Sequence, residues 1–446
     1  MSVMWFGQLP DRWDSKRVAA MFASRSEKNN PIKTDFILSL SAKNGVMPYS
    51  ERTEKGGNKP KDDLSKYSIA HKNDLLINCM NVLAGSSGVT KWDGAISPVY
   101  YALYPHHENI NVWYYHYIFR LVTFYRSLIG LGKGILFHES ESGSLNTIRL
   151  RISMTSLNNV VLPLPPREEQ DQIVRYLDWK VSQINKLIHA KRQQIDLLYE
   201  KKQATIGFAV TNGVDKWREM RLGNHGIFRK GFGGSRVDDD TNGVACIRYG
   251  DIYRSGALFL DQPITRINRS VVDSYARTRK LDVLFALSGE TKEEIGQALM
   301  NNIDENTWCS GDAAIFSANN DILPQFLVYA LRCPHVVKQR AGLARGDIIV
   351  HISTGALRRL KIFVPPIDCQ NDIVMYLNRQ CENIDKITAG LHYEITLLNE
   401  YRTRLIFDVV TGKRDVRSIV VPDYDAADNS FVVDLGEDDN IDESEE

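Results

Sequence analysis

This 446-residue chain has no run of about eighteen apolar residues, so no stretch of it is built to span a membrane. Met1 to Pro10 carries no basic region followed by an apolar one, which argues against a secretory signal. The six cysteines, at 79, 246, 309, 333, 369 and 381, form no Cys-x-x-Cys, and the ten histidines form no His-x-x-x-His. That scatter excludes the common zinc spacings and fits reduced thiols in a cytoplasm. Catalytic signatures are missing as well. No G-x-x-x-x-G-K-[ST] phosphate loop occurs, and Gly130-Leu-Gly-Lys-Gly134 has neither its spacing nor its hydroxyl. The Asn-Pro-Pro-Tyr or Asp-Pro-Pro-Tyr with which amino-methyltransferases hold a target amine is absent. So is a Gly-rich turn of the cofactor-binding kind. These absences leave no catalytic constellation and no zinc site to be read from the sequence.

The final stretch lacks positive charge. Pro422 to Glu446 hold eleven Asp or Glu and no Lys or Arg, although the whole chain is neutral with 55 residues of each sign. Residues 1–421 are therefore eleven charges positive, and the acidic tail, taken as 416–446, is expected to be disordered. A basic body makes nucleic acid the first candidate partner, although the excess is moderate for this size.

What is present is a repeat. Residues 165–211 align without a gap on 365–411, with about a third of the positions identical. Pro165-Pro166, Gln170, Ile173-Val174, Tyr176-Leu177, Ile184 and Lys186 each recur 200 residues later, as do Ile195, Leu197-Leu198 and Glu200. Each copy reads as a long helix: Pro-Pro forces an extended approach, and acidic residues follow at the N-terminus. A seam spaced 4-3-4-3 then runs through Leu177, Val181, Ile184, Ile188, Ile195 and Leu198. In the second copy it runs through Leu377, Ile384, Leu391, Ile395 and Leu398. That period is a coiled-coil one, broken by Lys191, Lys202, Thr388 and Arg402, and the natural partner of each helix is the other copy. A helix of about 42 residues spans roughly 60 Å. The globule between the copies is about 40 Å across and cannot easily return the chain to its start, so the helices should run antiparallel.

The globules repeat too. Asp11-Arg-Trp13 with Arg17-Val18 recurs as Asp215-Lys-Trp217 with Arg221-Leu222, and Ile152-Ser153 and Leu157 recur at Ile352-Ser353 and Leu357. The expected fold is α+β: two pseudo-twofold-related domains separated by an antiparallel coiled coil. The boundaries are 1–163, 164–213, 214–363, 364–415 and the tail. Residues 69–77 and 94–103 read as strands. Residues 112–128 read as one amphipathic helix whose aromatics (Trp113, Tyr114, Tyr117, Phe119, Phe124) are core rather than a base-stacking platform. Residues 324–337 are its counterpart. Basic loops, all but 275–280 containing glycine, differ between the globules: 51–63, 85–92 and 130–134 in the first, and 229–236, 275–280, 288–293 and 342–347 in the second. Glycine lets backbone approach a phosphate, and Lys or Arg supplies charge and groove hydrogen bonds.

Leu162-Pro-Leu-Pro-Pro-Arg-Glu-Glu-Gln170 followed by a long helix resembles the conserved region of type I restriction–modification specificity subunits. So does the second copy at Val364 to Gln370, which departs by carrying Ile-Asp-Cys before Gln. Asn78-Cys-Met-Asn-Val-Leu-Ala-Gly85 through Ser97-Pro-Val-Tyr-Tyr101 is similar to that family's target recognition domain. The resemblance, over roughly 9–415, implies a non-catalytic DNA-recognition subunit in a prokaryotic cytoplasm. Each globule would read half of a split double-stranded target. The helices would fix the spacer and, on their outward faces, dock two modification subunits. S-adenosylmethionine, ATP and Mg are then expected on the modification and restriction subunits. Under this reading Lys43, Lys55, Lys59, Lys61, Lys91 and Lys133 contact DNA from the first domain. Arg229, Lys230, Arg236, Lys292 and Arg345 do so from the second. Asn81 either reads a base edge or caps a turn. The alternatives are a coiled-coil scaffold with two protein-binding heads and a self-contained DNA nuclease or methyltransferase.

Overall fold

The computed structural model describes residues 5–52, 60–61, 63–135, 149–346 and 349–423. The chain forms two compact units: 1–191 with 392 onward, and 192–391. Each unit contains one globule and one part of each long helix.

The helices run Arg167–Thr211 and Ile367–Val410, each directly after its Pro-Pro. Within the first unit their segments lie antiparallel: Arg402 Nη1 donates to Asn185 Oδ1 at 2.6 Å, and Lys191 pairs with Glu394. In the second unit Lys202 meets Asp385 at 2.6 Å. The Arg402–Asn185 and Lys202–Asp385 contacts are equivalents under the 200-residue shift, one a cation on an amide and the other a cation on a carboxylate. Of the seam positions, Leu177, Val181, Ile184, Ile188, Ile195, Leu377, Ile384 and Ile395 are buried, whereas Leu198, Leu391 and Leu398 are half-buried. Thr388 and Arg402, polar in sequence, are buried as well. No helix among the described residues is long and apolar enough to cross a membrane.

Both globules carry the same central sheet. In the first its order is Phe22–Ser24, Tyr100–Pro105, Leu75–Asn78, Ser87–Val89. In the second it is Gly226–Lys230, Ala313–Ala318, Val283–Ala286, Ala298–Asn301, with Phe259–Leu260 added at the edge. Each globule is closed by a two-stranded ribbon: Asp14–Arg17 pairs with Val161–Leu164, and Arg218–Arg221 with Lys361–Val364. An arginine clasping a buried aspartate also recurs. Arg25 holds Asp74 at 2.7 and 2.8 Å, and Arg229 holds Asp282 at 3.2 Å. In each case the aspartate also accepts a backbone N–H three residues upstream, from His71 or Arg279.

Several elements differ from the sequence reading. The stretches 69–77 and 94–103 are each two strands, because His71–Asp74 and Ser97–Val99 form turns. The expected single helix 112–128 is Val112–Phe119 and Val122–Ser127. It breaks at Arg120, whose buried guanidinium donates to the carbonyls of Ser87, Ala42 and Lys43. Its counterpart breaks at Cys333–Pro334 into Pro324–Ala330 and Pro334–Leu343, where a proline cannot continue the helix. Tyr114, Tyr117, Phe119 and Phe124 are buried core; Trp113 is half-buried. The start assigned to the tail is also corrected. Val416 and Val421 are buried, and Gln172 Nε2 donates to the carbonyls of Val416 and Ile419, so 416–421 belongs to the first unit. The rest of the tail, from 424, lies outside the described residues.

His116, on the apolar helix before Arg120, has its pKa pushed down to about 3 by burial, with Arg120 and Lys91 adding repulsion. The unfolded chain, with its histidine near the ordinary ~6.5, takes the proton first as pH falls. Stability from the neutral ring is therefore present above about 6.5 and is lost as pH drops toward 3, by about 1.4 kcal/mol per pH unit. His116→Phe is expected to flatten the fall of the urea midpoint between pH 6 and pH 4. An unchanged pH profile would refute this.

Candidate nucleic-acid interface

The long helices position the globules through a buried amide. Gln170 Nε2 donates to the carbonyls of Pro165 (2.8 Å) and Asn109 (3.0 Å), and its Oε1 accepts the Asn111 N–H at 2.8 Å. Gln370 repeats all three bonds, to Pro365, Asp321 and Leu323. Each amide thus ties the first helical turn to the loop before the globule's buried helix. A second tie follows from that helix: Tyr117 Oη donates to Asp178 at 2.5 Å and Tyr329 Oη to Asn378 at 2.8 Å, again 200 residues apart on the long helices. The sequence showed both glutamines as repeated but gave no sign of their partners in the globules, Asn109 and Asn111 in one and Asp321 and Leu323 in the other, which lie in non-repeating loops.

The loops carried by this frame meet at one corresponding corner in each unit. In the first unit the Ile152 N–H donates to the Cys79 carbonyl, and Tyr101 Oη to the Ile152 carbonyl. This joins the turn bearing Asn81 to the ribbon Lys133–Ile135/Arg149–Arg151, in which Lys133 lies opposite Arg151. In the second unit the Ile352 N–H donates to the Leu287 carbonyl, and Ser288-Gly289 pairs with Val350-His351. That joins the turn bearing Lys292 to the segment of Arg345, which bridges His351. Asn81, Lys133, Arg151, Lys292 and Arg345 are all exposed. Asn81 precedes the turn Val82–Ala84 without capping it through its side chain, and the neighbouring Asn78 accepts the Met80 N–H instead. Arg151 was not singled out from sequence, because the alternation Arg149-Leu-Arg151 gives no sign of which residue faces a lysine across a ribbon.

The remaining candidates are spread more widely. Lys43 is exposed on the tight turn between Leu38–Ser41 and Gly45–Pro48, the turn whose carbonyls Arg120 holds from beneath. Burial pushes Arg120 down to about 10, so it stays charged at neutral pH and fixes the turn electrostatically. Lys61 and Lys91 are exposed; Lys55 and Lys59 lie outside the described residues. Lys230 and Arg236 are exposed at either end of Gly231–Ser235. Two expectations are corrected here. Arg229 does not offer its charge to solvent alone, since it neutralises the buried Asp282 and bonds the Arg277 carbonyl at 3.1 Å. The glycines beside it serve packing rather than a phosphate cradle. A Cβ on Gly231 would stand 1.9 Å from the Ser310 carbonyl oxygen, and Gly233, at φ +78°, would meet that of Ser274 at 2.3 Å. Among the described residues no group of His, Cys, Asp and Glu could hold a metal ion.

The fold and these corners define a duplicated α+β protein that presents variable polar loops on a repeated frame. Residues 10–197 match the type I restriction modification DNA specificity domain. The chain is 24% identical over 291 residues to the putative type I restriction enzyme MjaX specificity subunit of Methanocaldococcus jannaschii, covering 60% of this chain and 62% of that one. It is 23% identical over 282 residues to the type I restriction enzyme MjaVIII specificity subunit of the same organism, covering 58% and 64%. The match thus spans less than two thirds of either relative. A chain from a study of complex assembly and conformational transition of the type I R-M system shares the fold at TM-score 0.64 and 15% identity, over 91% of this chain and all of that one. The family likeness thus covers residues 10–197, the first globule and the first part of its long helix, and the solved structure extends the likeness of fold over most of the chain.

Proposed function

We propose that this chain is the DNA sequence-specificity subunit of a type I restriction–modification complex. Each globule reads one half of a split double-stranded target, and the paired helices set the spacer and dock two modification subunits. Methyl transfer from S-adenosylmethionine belongs to those subunits, and ATP- and Mg-dependent cleavage to restriction subunits; this chain supplies recognition. One observation carries the reading. Two globules of different loop sequence place exposed polar side chains at the same corner, Asn81, Lys133 and Arg151 in one and Lys292 and Arg345 in the other. A duplicated frame with divergent loops is what reading two different half-sites requires.

The test is methylation mapping in cells that hold the modification subunit with and without this chain. Methyl-adenine at one split motif only when the chain is present supports the proposal. Methylation unaffected by its removal overturns it. Asn81→Ala with Lys133→Ala should relax or weaken recognition of one half-site, by about 1–3 kcal/mol for each base edge no longer read. Lys292→Ala with Arg345→Ala should act on the other half-site alone. Each lysine or arginine that meets a phosphate should, when replaced, also lower the slope of log affinity against log salt by about one.

A further inference from the structure

The surface where the long helices start and stop is covered in one unit and bare in the other. In the first unit, Lys413 to Val421 lies across the opening turns of the first helix. Gln172 Nε2 donates to the Val416 and Ile419 carbonyls at 3.0 and 2.7 Å, and the Arg414 guanidinium stands 5.8 Å from the Tyr176 ring. Under this cover Tyr176 is only 1% exposed. The second unit repeats the helix surface 200 residues on, but there the chain turns straight into the globule through Gly213. Phe208, Trp217, Cys369, Asp372, Ile373 and Tyr376 are left lining an open groove of about 490 Å³. Tyr376, the counterpart of Tyr176, is 48% exposed, and Phe208 is 65% exposed.

The differences between the copies state what fits. Gln172, which donates to two carbonyls, is replaced by Asp372, an acceptor that repels carbonyl oxygens and attracts N–H groups and cations. Asp408 is replaced by Phe208, which widens the apolar surface. The segment that fills the first groove has no regular structure and turns at Arg417-Ser418, where the Ile419 N–H donates to the Val416 carbonyl; it is aliphatic at Val416, Ile419 and Val421, and basic at Lys413, Arg414 and Arg417. We propose that the open groove of the second unit docks an aliphatic–basic segment of a modification subunit, with a Lys or Arg on Asp372 and aliphatic side chains on Phe208 and Tyr376. This rests on the function proposed above and adds to it an asymmetry. Of two otherwise identical partner subunits, one meets a groove and the other meets a surface the chain has already covered.

Cys369 provides the readout, because it is the exposed one of the six cysteines. The full chain is assembled with the modification subunit and labelled with a maleimide. Labelling of Cys369 should slow at least tenfold on assembly. Phe208→Asp and Tyr376→Asp, both at exposed positions, should leave the melting temperature of the free chain in place and weaken the binding of one of the two partner subunits at least tenfold. A complex that forms normally while Cys369 reacts at its free rate overturns the groove and leaves the specificity-subunit reading standing. So do variants that bind both partners as before. If the unaltered chain forms no complex, the parent reading fails and the groove with it.

Discussion

Ile184→Asp is expected to lower methylation at every target sequence alike, and to do so through assembly rather than recognition. Ile184 is 7% exposed, one residue before the Asn185 that receives Arg402 across the helix pair. An aspartate there forfeits the apolar packing of the isoleucine and places a carboxylate where water is scarce. Together these cost about 3 kcal/mol of the first unit's stability, with Arg402 too far committed to Asn185 to neutralise it fully. The measurements are the urea midpoint of the free chain, the yield of complex with the modification subunit, and methylation at several targets. Undiminished assembly would reject the helices as a spacer. A loss confined to one half-site would assign Ile184 to recognition.

The second large effect is expected at the buried amides. Gln170→Leu removes one side chain but strands three backbone groups, the carbonyls of Pro165 and Asn109 and the N–H of Asn111. Each stranded group costs about 1–3 kcal/mol, so the variant should be destabilised by at least about 3 kcal/mol. Gln370→Leu should cost as much in the other unit. Amide hydrogen exchange would separate the two: Gln170→Leu loosens the first globule and Gln370→Leu the second. Glu168→Gln, exposed in the same first turn, should change the midpoint by less than about 0.5 kcal/mol. If both glutamine variants melt like the parent, the amides are not what fastens globule to helix.

The long helices were legible because their signals are local and periodic: Pro-Pro, acidic first turns, and an apolar seam that survives a gapless comparison. The globules were less so. Their equivalent elements are displaced by unequal amounts, since Arg25 answers to Arg229, Asp74 to Asp282 and Leu103 to Phe316. Insertions between strands had erased any single shift. Arg229 shows the cost of this for the site. Beside Lys230 and a glycine run it reads as a solvated basic loop, and its partner lies 53 residues away across two strands. Only the structural equivalence with Arg25 reveals a repeated internal pair. The break at Arg120 was hidden for the same reason. An arginine within an aromatic helix looks like its one solvent-facing residue, whereas its guanidinium is buried to hold the turn of Lys43.

The ribbons that close the globules bear on how such a protein can change over generations. Asp14 lies opposite Leu164, and Arg218 opposite Val364, so the chain leaves each globule beside the point where it came in. Everything between is, to the remainder of the molecule, one long loop whose ends are already joined. The entropy of closing a loop grows only slowly with its length. A foreign globule with ends the same distance apart could therefore be grafted between those strands by a single recombination event. The inherited Pro-Pro, buried glutamine and helix would receive it unchanged, and under the proposed function a new half-target would arise without redesign of the partner subunits.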